Sequence, residues 1–122
     1  MNDSTSKYYL DAKMAHFTET QLLLCSGLPR DHFYQINVKV GKYEGEDVLL
    51  RTVVVGENAR KNGKAVSSSE NGKRTYVLVH GYAGSGALLY KVFKGLSEHF
   101  NLIVVDIIGM GSSSRPNDFK YE

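Results

Sequence analysis

Thr75-Tyr76-Val77-Leu78-Val79 runs straight into His80-Gly81-Tyr82-Ala83-Gly84-Ser85-Gly86. A second apolar run, Leu102-Ile103-Val104-Val105-Asp106, leads into Ile107-Ile108-Gly109-Met110-Gly111-Ser112-Ser113-Ser114-Arg115-Pro116. Tyr76 to Val79 is uniformly apolar, which predicts a strand covered on both faces in a parallel sheet. Between the runs, Leu88, Leu89, Val92, Phe93 and Leu96 recur at helical spacing, so Gly86 to His99 is expected to be a helix, with Lys91 and Lys94 on its other face. Strand, helix and parallel strand make a right-handed crossover unit. Its two Gly-rich turns then lie at the carboxyl ends of the strands, where open α/β sheets place their sites.

Working outward, Ser6 to about Ser26 reads as a helix. Tyr9, Leu10, Ala12, Met14, Phe17, Thr18, Leu22 and Leu24 form its broad apolar stripe, and Gly27-Leu28-Pro29 stops it. Phe33 to Val40 alternates in polarity, the mark of a half-buried strand. Gly41 to Asp47 has turn composition, and Val48 to Val55 is expected to be a second strand antiparallel to the first. Glu57 to Lys73 is polar and almost free of large apolar residues, so a mobile loop is expected. Its Arg60, Lys61 and Lys64, with Lys73 and Arg74, fit a solvated surface better than an anion site. The division expected is 1–30 as N-terminal helix and linker, and 31–122 as an α/β domain containing the 57–73 loop.

Bulk properties narrow the function. The 122 residues suit one domain, 42% hydrophobic and 23% charged, as in ordinary soluble chains. A formal charge of +2 is too small to argue for nucleic acid. Cys25 is the single cysteine, which excludes an internal disulfide. His16, His32, His80 and His99 lack zinc-site spacing, so no metal is expected. The N-terminus has no basic start followed by an apolar run, and no stretch approaches the ~18 apolar residues of a membrane span. Asn2-Asp3-Ser4 is read as a chance sequon. The expectation is an intracellular, cytoplasmic chain without a transmembrane segment and without a cofactor, with peripheral contact to a membrane or lipid droplet left open.

Rival motifs can be tested on the first turn. A P-loop needs Gly-x-x-x-x-Gly-Lys-Ser/Thr, but Ala87 and Leu88 follow Gly86. A dinucleotide fingerprint needs Gly-x-Gly-x-x-Gly, whereas Gly81, Gly84 and Gly86 give the inverse spacing. Asp106 does stand about where a ribose-binding carboxylate would, so a Rossmann-type oxidoreductase stays as a further alternative. A plain strand-to-helix connection is the bland alternative.

Asp106-x-x-Gly109-x-Gly111-x-Ser113-x-x-Pro116, with His80-Gly81 ahead of it, resembles the front half of an α/β-hydrolase catalytic domain. The specific resemblance covers Tyr76 to Pro116. Within that superfamily it looks closest to the lysophospholipid acyltransferase and N-acyl-phospholipid lipase branch. The resemblance implies an α/β fold with a leading helix, an antiparallel strand pair and then a parallel strand-helix-strand. It implies acyl transfer of Ser-His-Asp type on carboxylic esters, lipids among them. Such cleavage builds negative charge on a carbonyl oxygen, which preorganised backbone N–H groups stabilise.

On the same resemblance, His80, Gly81, Tyr82, Ala83 and Gly84 form the oxyanion-hole loop, with the Tyr82 N–H as one donor and His80 orienting the loop. Asp106, Gly109, Gly111 and Ser113 form the supporting turn, the Asp106 carboxylate holding its loop through backbone N–H groups. Arg115 is read as a surface residue. The chain contains no Gly-x-Ser-x-Gly nucleophile elbow, so no catalytic nucleophile, acid or base is assigned. The branch's His-x-x-x-x-Asp signature is absent as well. The expectation is therefore an N-terminal piece of a longer enzyme, inactive alone, with an incomplete sheet and an exposed apolar edge at Tyr76–Val79. The alternative is a non-catalytic pseudoenzyme or a regulator that binds a lipase or lipid.

Overall fold

A computed structural model describes residues 3–56, 59–61, 64–65, 72–82 and 84–116, with backbone alone for 3–11, 60–61 and 64–65. Helix α1 spans Asp3–Cys25. It ends where the Ser26 N–H reaches the Leu22 carbonyl and Gly27 turns to φ +92°, a conformation that costs glycine little.

Strands β1 (Phe33–Tyr43) and β2 (Glu46–Val55) pair antiparallel from Phe33↔Val55 to Tyr43↔Glu46. The strands run further than expected, and the turn shrinks to Glu44-Gly45. Both residues have positive φ, 48° and 83°, the combination that matches the twist of a two-residue hairpin. Within the expected mobile loop, β3 (Arg60–Lys61) and β4 (Lys64–Ala65) form a small antiparallel ladder.

Strand β5 (Arg74–Val79) is followed by a 3₁₀ turn at Gly86–Leu89, helix α2 (Tyr90–Ser97) and strand β6 (Phe100–Val105). The expected helix from Gly86 thus begins as a tighter turn. The four-stranded sheet has the order β1-β2-β6-β5. Strand β6 lies antiparallel to β2 and parallel to β5, so the last strand in sequence is inserted between earlier ones.

Register separates the two faces. One carries Phe33, Val53, Val55, Leu102 and Val104, packed against Leu23, Leu28 and Phe93 as the buried core. The same face continues through Gln35, Asn37 and Arg51. Helix α1 therefore lays Leu23 over the apolar end and Glu19 over the polar one, and both are buried. This corrects the expected stripe of α1: Met14 and Phe17 are exposed, and Leu23 is the residue in the core. The stripe failed because Glu19, one helical turn from Leu23, faces inward on a charge partner (below) instead of outward to water.

The other face tells against the expectation that Tyr76–Val79 is covered on both sides. Val77 and Val79 are 58% and 60% exposed, and Ile36 and Val38 on β1 are exposed as well. The reason is topological. Strand β5 is an edge of the described sheet, and both helices contribute to the core on the opposite face.

Candidate functional site

The two Gly-rich turns meet at the carboxyl ends of β5 and β6, joined by His80. Its ring is buried. Nε2 accepts the Ile107 N–H at 2.9 Å, and Nδ1 lies 2.7 Å from the Gly81 carbonyl. A backbone N–H can only donate, so the tautomer that satisfies both contacts carries its proton on Nδ1. His80 thus ties its own loop to the turn after β6.

Asp106 is the second tie. It is 3% exposed. Its Oδ1 accepts the Gly86 N–H at 2.7 Å and its Oδ2 the Ser112 N–H at 2.9 Å. One carboxylate therefore spans both turns through charge-assisted hydrogen bonds. Glycine is required on each side. A Cβ on Gly86 would come within 2.5 Å of Val104 Cγ1, and one on Gly111 would overlap the Asp106 carboxylate. Gly109 and Gly111 also have positive φ, 82° and 54°. With its oxygens engaged, Asp106 is not presented to a ribose as the dinucleotide reading would need.

Ser113 is buried and bound twice. Its hydroxyl donates to the Asp106 carbonyl at 2.6 Å and accepts the Arg51 N–H at 2.8 Å. Ser114 docks beside it, its Oγ accepting the Leu49 N–H and its N–H reaching the Leu49 carbonyl. The turn after β6 is thereby fastened along β2. These bonds leave Ser113 a structural hydroxyl.

The first turn is open where the second is packed. Tyr82 is 93% exposed, and among the described residues no acceptor takes its N–H. A Cβ on Gly81 would meet nothing within 4 Å, while Gly84 backs onto the Gly81 carbonyl and the His80 ring. Ala83 lies outside the described residues. Below the turns, Ser85, Ala87, Asp106 and Ser112 share with Ala15 and Glu19 of α1 a cavity of about 350 Å³.

Sequence reasoning missed the polar network beside this cavity. Arg51 and Glu19 form an ion pair with side chains only 9% and 7% exposed, at 2.9 Å from Nη2 and 3.1 Å from Nε to Oε1. Gln35 Nε2 donates to the same Oε1 at 2.9 Å, and His16 Nδ1 lies beside Arg51 Nη2. The signal was available: Arg51 interrupts an apolar strand, and a charge placed there must find a buried partner. Among the described residues no group of three or more His, Cys, Asp or Glu could hold a metal ion, and no helix is long and apolar enough to cross a membrane.

Residues 76–122 match the family described as alpha/beta hydrolase fold. The fold is that of part of an α/β-hydrolase. A haloalkane dehalogenase, DatA of Agrobacterium tumefaciens C58, superposes with a TM-score of 0.52 at 27% identity, over 75% of this chain and 24% of that one. A membrane phospholipase A described as a bacterial virulence factor shares the fold at a TM-score of 0.60 and 16% identity, over 98% of this chain and 31% of that one. In sequence, 49 residues are 39% identical to a 1-acylglycerol-3-phosphate O-acyltransferase of Arabidopsis thaliana, 40% of this chain and 12% of that protein. The chain therefore spans a small part of the proteins it matches.

Proposed function

We propose that the chain forms the N-terminal elements of an α/β-hydrolase acting on acyl esters, lipids among them, by Ser-His-Asp type acyl transfer. In this reading the His80–Gly84 loop is one wall of the oxyanion hole and the Tyr82 N–H is its donor. The observation that carries the reading is the His80 ring. By bonding the Ile107 N–H and the Gly81 carbonyl it holds the loop in place while the Tyr82 N–H stays uncommitted among the described residues. A donor fixed before the substrate arrives is what stabilises a developing oxyanion. The name of the acyltransferase relative supports a lipid ester as substrate.

The nucleophile must come from elsewhere, since Ser113 is committed and Ser85 has no elbow frame. The purified chain is therefore expected not to turn over p-nitrophenyl esters. Turnover that tracks with the protein and survives Ser85→Ala and Ser113→Ala would overturn this. A transcript read through the codon for Glu122 tests the larger claim. An open frame with Gly-x-Ser-x-Gly within ~30–60 residues supports an enzyme, and another residue at the nucleophile position supports a lipid-binding regulator.

A further inference from the structure

We propose that the cavity bounded by α1, the β1–β2 pair and residues 111–115 is a binding site for the phosphate group of a phosphoester. The cavity holds about 290 Å³. That is the small end of ligand pockets, suited to a headgroup and not to an acyl chain. Small residues, Ala12 and Ala15 of α1 and Gly111 of the turn, leave the space. Its charged lining is cationic: Arg51 and Arg115 reach it, and among the described residues no carboxylate lines it.

Glu19, which balances Arg51, does not line this cavity. Its Oε1 takes Nε and Nη2 of the guanidinium, so one edge of Arg51 is locked. The remaining nitrogen, Nη1, meets Asn37 Oδ1 at 3.4 Å, a long contact for a hydrogen bond. Asn37 does line the cavity. A phosphate oxygen would make a shorter charge-assisted bond there and replace a weak contact. Arg51 is thus a preorganised donor, its rotamer already fixed by the ion pair. Arg115 is exposed and forms no ion pair among the described residues, so a second guanidinium stands at the cavity.

Two guanidinium groups on separate elements, with Ser112 at the rim, match a tetrahedral anion with three peripheral oxygens. A planar carboxylate would be satisfied by a single fork. The inference does not rest on acyl transfer, because binding can be read where there is no turnover.

The test is a titration of the ¹⁵N-labelled 122-residue chain with inorganic phosphate, chloride replacing it at constant ionic strength. Saturable shifts are expected at the amides of Ala12, Ala15 and Ser112. Arg115→Glu should weaken binding about tenfold or more, Arg115→Lys less, and Ala12→Phe, which fills the cavity, should abolish it. Arg51 is left unaltered because its loss would strand Glu19. Glycerol 3-phosphate and phosphatidylcholine vesicles doped with phosphatidic acid distinguish the sources. Binding of the soluble ester assigns a free phosphoester. Arg115-dependent binding of the doped vesicles alone assigns a lipid headgroup. Absence of saturation with all three probes, or binding indifferent to both Arg115→Glu and Ala12→Phe, would overturn the proposal.

Discussion

The Ile107 N–H donates to Nε2 of His80 at 2.9 Å, across 27 positions of sequence. This bond makes the loop after β5 and the turn after β6 one unit. Replacing the ring by a methyl group strands a partly buried donor, which costs about 1–3 kcal/mol. His80→Ala is therefore expected to lower the unfolding free energy measured in urea by that amount. Unchanged stability would show that the two turns are held by Asp106 alone.

Asp106→Asn tests the second tie. The amide keeps one acceptor for the Gly86 and Ser112 N–H groups but sets a donor against the other. A loss of about 1–3 kcal/mol is expected, with faster hydrogen exchange at both Gly86 and Ser112. Exchange that accelerates at neither amide would contradict the geometry.

Two glycines of the first turn should part company. Gly86→Ala forces a Cβ against Val104 and should cost about 1–3 kcal/mol by overpacking. Gly81→Ala points into open space and should leave the melting temperature unchanged. Under the proposed function it would instead crowd the approach to the Tyr82 N–H and lower kcat. Equal thermal shifts from both substitutions would defeat the distinction.

The Arg51–Glu19 pair predicts a strongly coupled double-mutant cycle. Arg51→Met alone leaves a buried carboxylate without its cation, a loss of about 3–5 kcal/mol. Adding Glu19→Met should recover most of it, since apolar replacement of both partners is often neutral. Simple additivity in chemical denaturation would mean the two groups do not depend on each other.

Strand β5 is an edge of the described sheet and leaves Val77 and Val79 exposed, a template for association with another strand. Val77→Lys should reduce self-association of the isolated chain in sedimentation velocity, with its circular dichroism intact. Wild type and variant associating alike would place any contact elsewhere.

Much of this is legible in the sequence alone. Alternation at Phe33–Val40 and the apolar runs at Val48, Tyr76 and Leu102 announced four strands, because a strand's period is local. The insertion of β6 between β2 and β5 is a long-range pairing that no window of sequence contains. The inward face of α1 was misread for a related reason. Glu19 counts as outward on any hydropathy scale until Arg51, 32 positions away, is known to sit opposite. The turns were recognised through glycines, whose constraint is steric and local. The ties of His80 and Asp106 appeared only once both turns stood side by side.

The fastening of the turn after β6 onto β2 also bears on kinetics. Ser113 and Ser114 reach back 62 and 65 residues to Arg51 and Leu49, so these bonds cannot form until β2 and β6 have found one another. Contacts this distant carry the full entropy of closing the intervening chain before they return any stabilisation. The site should therefore be among the last regions to acquire protection during refolding. Substitutions confined to it, Ser113→Ala for instance, should speed unfolding while leaving the folding arm of the chevron almost untouched.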